Sequence, residues 1–244
     1  MVDVSVTEFI STLSHSTAPT LIIEGKGDYA ALEDFENENV SWGFTVLPVH
    51  GKQNVLELID RRVEISNPNI LFLVDQDEWL LCGTPSAYKR ADVIFTIGAA
   101  MENDLILDGE PWKLMSLSEQ SAFKSTIIAF AVVYTRLVAD HLSGNVTYNL
   151  RTHPLQFFDV NGLLDVTVGA WAAAHPSPTP VPAYLVGKPE VYIRGKSLLA
   201  LVTMQLSSPT RKSRFGKANI MEIGLRARGA NSKAHETAIL KFFA

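Results

Sequence analysis

The sequence predicts an α/β protein: a parallel sheet flanked by helices over residues 1–110, then a mainly helical region over 111–244 that ends in a basic tail. Three observations carry this. Short, β-branched apolar runs recur through the first half, and a stretch of helical period follows most of them. Strands alternating with helices in this way argue for a parallel sheet built from right-handed crossovers. One run, Ile70–Val74, is apolar at every position, as in a strand covered on both faces.

In chain order, residues 1–14 alternate weakly and suit a short helix. "APTLIIEG" is a strand bounded by Pro19 and Gly25, and a helix follows from about Asp28. "GFTVLPVHGKQNVLELIDRRV" repeats the plan, with a strand near 44–49, a turn at Gly51–Lys52, and a helix placing Val55, Leu58, Ile59 and Val63 on one face. Gly25 and Gly51 are read as tight-turn residues. "NILFLVDQDEW" holds the third strand, and "ADVIFTIGAAMENDLIL" gives the fourth strand and the next helix. From about 112 to 160 the pattern is helical. Pro176, Pro178, Pro180 and Pro182 then mark an extended linker or surface loop. "PEVYIRGKSLLALVTMQL" reads as strand, Gly–Lys turn and helix, and a closing helix is expected at 234–243.

At 244 residues and 47% hydrophobic content the chain can bury a full core. Its single cysteine, Cys82, excludes an internal disulfide and a thiolate zinc site, which fits a reducing, cytoplasmic setting. Asp3 and Glu8 precede any apolar run, so no secretory signal is read. The apolar stretch at 125–142 is broken by Arg136 and Asp140, and is read as a buried helix with no membrane role. The six histidines show no metal-ligand spacing and are expected to be structural or exposed.

Charge is unevenly distributed. Residues 1–110 carry 6 basic and 19 acidic side chains, whereas residues 207–244 carry 8 and 2. A solvated surface accounts for such a split; so does an acidic metal site in front with a polyanion-contacting tail behind. The acids are not scattered. Glu24 closes the first strand, Asp75 and Asp77 close the third, and Glu102 begins the helix after the fourth. Function collects at the carboxyl ends of strands in such sheets, and alternation would aim Asp75 and Asp77 to the same side. Gathered carboxylates repel one another, and a hard divalent cation with oxygen ligands, Mg²⁺ or Mn²⁺, relieves that repulsion. Such an ion polarises a phosphodiester and lowers the pKa of bound water.

These residues resemble a known family. "IIEGKGD", followed some fifty residues later by "LVDQDE", is similar to the TOPRIM domain of topoisomerases, primases and overcoming-lysogenization-defect nucleases. "VHGKQNVLELI", "AAMENDLI" and the late "YIRGKSLL" narrow the likeness to the TOPRIM-like proteins encoded beside ATPases in bacterial anti-phage systems of the PARIS type. The resemblance covers residues 20–107 and, loosely, 190–206. It implies that Glu24, Asp75 and Asp77 are catalytic, with Glu24 a metal ligand or general base. Asp75 and Asp77 would ligate the metal, with Glu102 at the rim. Asp28 matches a further family acid, and equally suits an ordinary helix cap.

The activity implied is that of a Mg²⁺-dependent endonuclease cutting RNA such as tRNA, or DNA, as a toxic effector. A partner ATPase and a homodimer are implied with it; the alternative is a non-catalytic adaptor. Lys26 and Lys52 would contact phosphate or offset the acids, with Lys196, Arg211 and Arg214 completing the nucleic-acid contacts. The tail equally suits a solvated face or docking to an acidic protein. "DQDEWLLCG" departs from the topoisomerase form, and no strand-passage tyrosine module is present, so strand passage is not expected.

Overall fold

The computed structural model of the chain describes residues 4–144, 148–159, 163–174, 185 and 187–244. Four strands, β1 (Thr20–Ile23), β2 (Thr45–Pro48), β3 (Ile70–Val74) and β4 (Val93–Phe95), form one sheet in the order β2-β1-β3-β4. Every pairing is parallel; Thr20 stands opposite Thr45 on one side and Ile70 on the other.

Alternation along β1 and β3 builds the layers. Leu21, Ile23, Leu71 and Leu73 pack with Leu32 and Phe35 of helix α2 (Lys26–Glu38). Ile22, Ile70, Phe72 and Val74 face the opposite layer, with α1 (Val6–Ser14) and α3 (Lys52–Asp60). The central β3 is apolar and buried at every position because neither of its faces meets water.

Helix α3 ends sooner than its apolar period suggests. Arg61 pairs with Glu57 and Glu64 and closes the last turn, so Val63 lies in a 3₁₀ turn and is 95% exposed instead of sharing the apolar face. Gly51 does need a glycine conformation, at φ 131°. Gly25 does not: its φ of −161° is ordinary extended backbone.

After β3 come the single turn α4 (Trp79–Cys82), then β4 and α5 (Met101–Gly109). The long α6 (Leu117–Ser143) opens with a Ser116–Glu119 capping box and stops at Gly144 in the left-handed region. The helical pattern expected up to 160 therefore ends early. A 3₁₀ turn at Pro154–Phe157 and the helix α7 (Val166–Ala174) follow. By length and composition α6 could cross a membrane, yet half of its apolar window is buried in protein. Phe130, Tyr134 and Leu137 are among its core residues. The proline-spaced stretch lies outside the described residues.

Where a strand was expected at 189–193, the chain forms a helical turn, α8 (Pro189–Tyr192). Pro189 suits the first helical position, and Asn103 takes two of the turn's carbonyls, so no strand ladder is needed. Helix α9 (Gly195–Leu206) follows.

The basic tail folds into α10 (Lys217–Ala227) and α11 (Ala230–Phe243). Both return to the first half of the chain. Gly224 sits so close to α5 that a Cβ there would meet the Leu105 carbonyl oxygen at 2.4 Å. Ile239 enters the layer formed by Leu21 and Ile23. Asp108 caps α11 by accepting from the Asn231 and Ser232 backbone N–H groups at 2.9 and 2.8 Å.

Candidate metal site at the acidic edge of the sheet

The strand order creates a crevice. From β1 the chain runs through α2 to β2 on one side; from β3 it runs through α4 to β4 on the other. The two connections lie on opposite faces, since α2 packs with Leu21 while Trp79 of α4 packs with Phe72. Adjacent strands whose connections part in this way leave an opening beyond their carboxyl ends. Glu24 is the first residue past β1, and Asp75 the first past β3. The Asp75 backbone N–H donates to Glu24 Oε1 at 3.1 Å, tying the two strand ends together.

The other expected acids gather around this pair. Asp28 lies in the first turn of α2 and accepts from the Gly25 N–H at 2.9 Å, so it caps the helix while standing in the cluster. Asp75 Oδ1 accepts from the N–H of Met101, the first residue of α5, at 3.1 Å. Glu102, one residue on, abuts α9: a Cβ on Gly195 would lie 2.8 Å from its Oε2.

Asp77 reaches the cluster by a different route from strand alternation. β3 stops at Val74, and Asp77 takes a left-handed φ of 45° with its N–H donating to the Ala99 carbonyl at 2.6 Å. Its carboxylate pairs with Lys52 at 2.9 Å.

The crowding is visible in proton affinity. Burial pushes the Glu24 carboxyl up to about 7 against the pull of Lys52, with Asp77 and Asp28 adding to the rise. Burial likewise raises Asp28 to about 6, helped by Glu102 and opposed by the Gly25 N–H and Lys196. Asp75 is held well above the carboxylate range, first by burial, then by Asp28, Glu24, Asp77 and Glu102. Asp75 thus feels all four of the other acids singled out in the sequence.

The expected cations divide. Lys52 is inside the cluster, and Lys196, at the start of α9, bears on Asp28. Lys26 is exposed at the first position of α2. Arg211 is taken up by Glu119 at 2.6 Å and by the Leu114 carbonyl at 2.8 Å. Arg214 is exposed, donating to the Pro209 carbonyl at 2.8 Å.

Two residues outside the expected set hold the site together. Asn103, fully buried, donates to the carbonyls of Glu190 and Ile193 at 2.7 and 3.0 Å and accepts from the Ala100 N–H at 3.0 Å. It thereby draws α8 and the start of α9 onto the acids. Asp104 accepts from the N–H groups of Ile97 and Gly98 and meets His235 Nε2 at 2.7 Å, fixing the loop before α5 and anchoring α11. His235 is structural, as expected. The sequence offers no local signal for a partnership across 131 positions.

In donor chemistry the cluster fits a hard divalent cation: every side chain is a carboxylate, and their mutual repulsion is unrelieved apart from Lys52 and Lys196. As the side chains stand, no three His, Cys, Asp or Glu groups among the described residues are arranged to enclose an ion. Against models of known protein families and against curated proteins, the sequence finds no match.

Proposed function

We propose that this chain is a Mg²⁺- or Mn²⁺-dependent phosphodiester hydrolase of the TOPRIM type, an endonuclease acting on RNA such as tRNA, or on DNA. The observation that carries the reading is the meeting of Glu24, Asp28, Asp75, Asp77 and Glu102 at the crevice between β1 and β3, where Glu24, Asp28 and Asp75 hold protons more tightly than carboxylates ordinarily do. Charges assembled at such cost are a signature of function. Asp75, Asp77 and Glu102, with Glu24 and Asp28, would hold the cation, which supplies a polarised phosphodiester and a more acidic water. Glu24 would serve either as one of these ligands or, left off the cation, as the general base taking a proton from the attacking water. Lys196 stands ready for a phosphate oxygen at the rim, and the exposed Lys26 and Arg214 for the backbone of the strand.

The wider reading rests on the motif resemblance: a toxic effector of anti-phage defence, cytoplasmic, active as a homodimer and controlled by a partner ATPase. It is tested by incubating the purified protein with tRNA, total RNA and plasmid in the presence of Mg²⁺ or Mn²⁺. Divalent-dependent cleavage is expected, falling at least roughly 100-fold in Glu24→Ala and Asp75→Ala. Cleavage that survives both substitutions overturns these assignments.

Two observations favour a second reading. The Lys52–Asp77 pair and the open spacing of the acids suit a module that binds an ATPase or nucleic acid without chemistry. Calorimetry separates the two readings: no divalent binding near millimolar concentration supports the adaptor.

A further inference from the structure

The Lys52 ammonium lies between a carboxylate and an aromatic face. Its Nζ donates to the Asp75 carbonyl at 2.8 Å and to Asp77 Oδ2 at 2.9 Å, and stands 4.1 Å from the centre of the Trp79 ring. The side chain is 17% exposed. Its backbone is fixed as firmly: Lys52 is the first residue of α3, and the preceding Gly51 donates its N–H to the Glu24 carbonyl at 2.7 Å. Trp79 is stacked on Tyr88, ring centres 5.4 Å apart, so the aromatic wall is itself braced.

From this geometry we infer that Lys52 is a tethered counter-ion, occupying the cation's place at Asp77 until a divalent ion displaces it. The inference rests on the metal-binding reading of the acidic edge. A single ammonium cannot neutralise five carboxylates, yet it ties Asp77 to the end of β3. A doubly charged ion binds the same oxygens more strongly but must first take Asp77 from the lysine. The indole face gives the released ammonium a favourable resting place, since a cation over Trp is attracted by the ring.

The test is calorimetric titration of the full chain with MnCl₂ at pH 7.5, alongside thermal unfolding without metal. Lys52→Met keeps the aliphatic stem and removes the charge; Lys52→Gln retains a donor for the Asp75 carbonyl and serves if the methionine variant fails to fold. Lys89→Met removes an equal charge from an exposed position outside the site. The Lys52 variants are expected to bind Mn²⁺ about tenfold more tightly than the unsubstituted chain, the scale of one displaced neighbouring charge. They should also melt lower without metal and gain more on its addition, with Lys89→Met nearly unchanged. Binding by the unsubstituted chain with equal or weaker binding by the Lys52 variants overturns the counter-ion role and leaves the metal site standing. Absence of binding in every form overturns the metal site and the inference together. Binding only in the Lys52 variants supports the inference in its strongest form.

Discussion

At the strand ends Glu24 and Asp75 each keep a proton that the same side chains, exposed in the unfolded chain, would release at ordinary carboxylate pH. The folded state therefore binds more protons than the unfolded state across the interval between those affinities, and stability falls as pH rises through it. For Glu24 that window runs from about 4.5 to about 7, and for Asp28 from about 3.8 to about 6. Metal-free protein should therefore melt at a higher temperature at pH 5 than at pH 7.5, a difference that saturating Mg²⁺ should reduce. Each unit of raised pKa corresponds to about 1.4 kcal/mol. Replacing a carboxylate by its amide removes the repulsion while keeping the shape. Glu24→Gln and Asp75→Asn, which keeps an oxygen for the Met101 N–H, should raise the metal-free melting temperature at pH 7.5 and, on the proposed hydrolase reading, abolish cleavage. A lower melting temperature in both would show that these acids stabilise the fold and are not held there against it.

At the level of elements, the site depends on joints between helices that no single helix specifies. Asn103→Ala would strand the carbonyls of Glu190 and Ile193 and the N–H of Ala100, at a cost of about 2–3 kcal/mol. It should also loosen Gly195 and Lys196 from the acids; chemical denaturation and metal titration of the variant measure the two effects separately. Gly224→Ala drives a methyl group into the Leu105 carbonyl and should destabilise by roughly 1–3 kcal/mol. The four strands were legible because their apolar runs are short and end on Gly, Pro or acid, and the acids were legible because a charge ending such a run is conspicuous. The strand order was not, since the same pattern serves several parallel sheets. The course of the chain past Val74 was misread because alternation stops where the strand does, and Asp77 turns left-handed. The turn at Pro189–Tyr192 was misread as a strand because the bonds that satisfy it come from Asn103, 87 and 90 positions away.

Across the whole molecule, the two ends of the chain depend on each other. Ile239 lies against Leu21 and Ile23, Phe243 packs on Phe44 and Trp42, and Arg228 pairs with Glu38 and Glu236. Part of the basic tail is thus spent on ion pairs within the protein, which the charge count along the sequence could not reveal. A chain ending at residue 206 would expose the sheet face covered by α11 and leave Asp104 and Asp108 without His235 and the α11 N–H groups. It should lose cooperative thermal unfolding by circular dichroism; a truncated form that melts as sharply as the full chain would contradict the packing described. The central claim concerns the cation itself, and anomalous diffraction from a crystal soaked in MnCl₂ tests it most directly. A peak is expected beyond β1 and β3, within bonding distance of Glu24, Asp75 and Asp77, with Lys52 moved off Asp77; a well-ordered crystal with no peak among those side chains would contradict it.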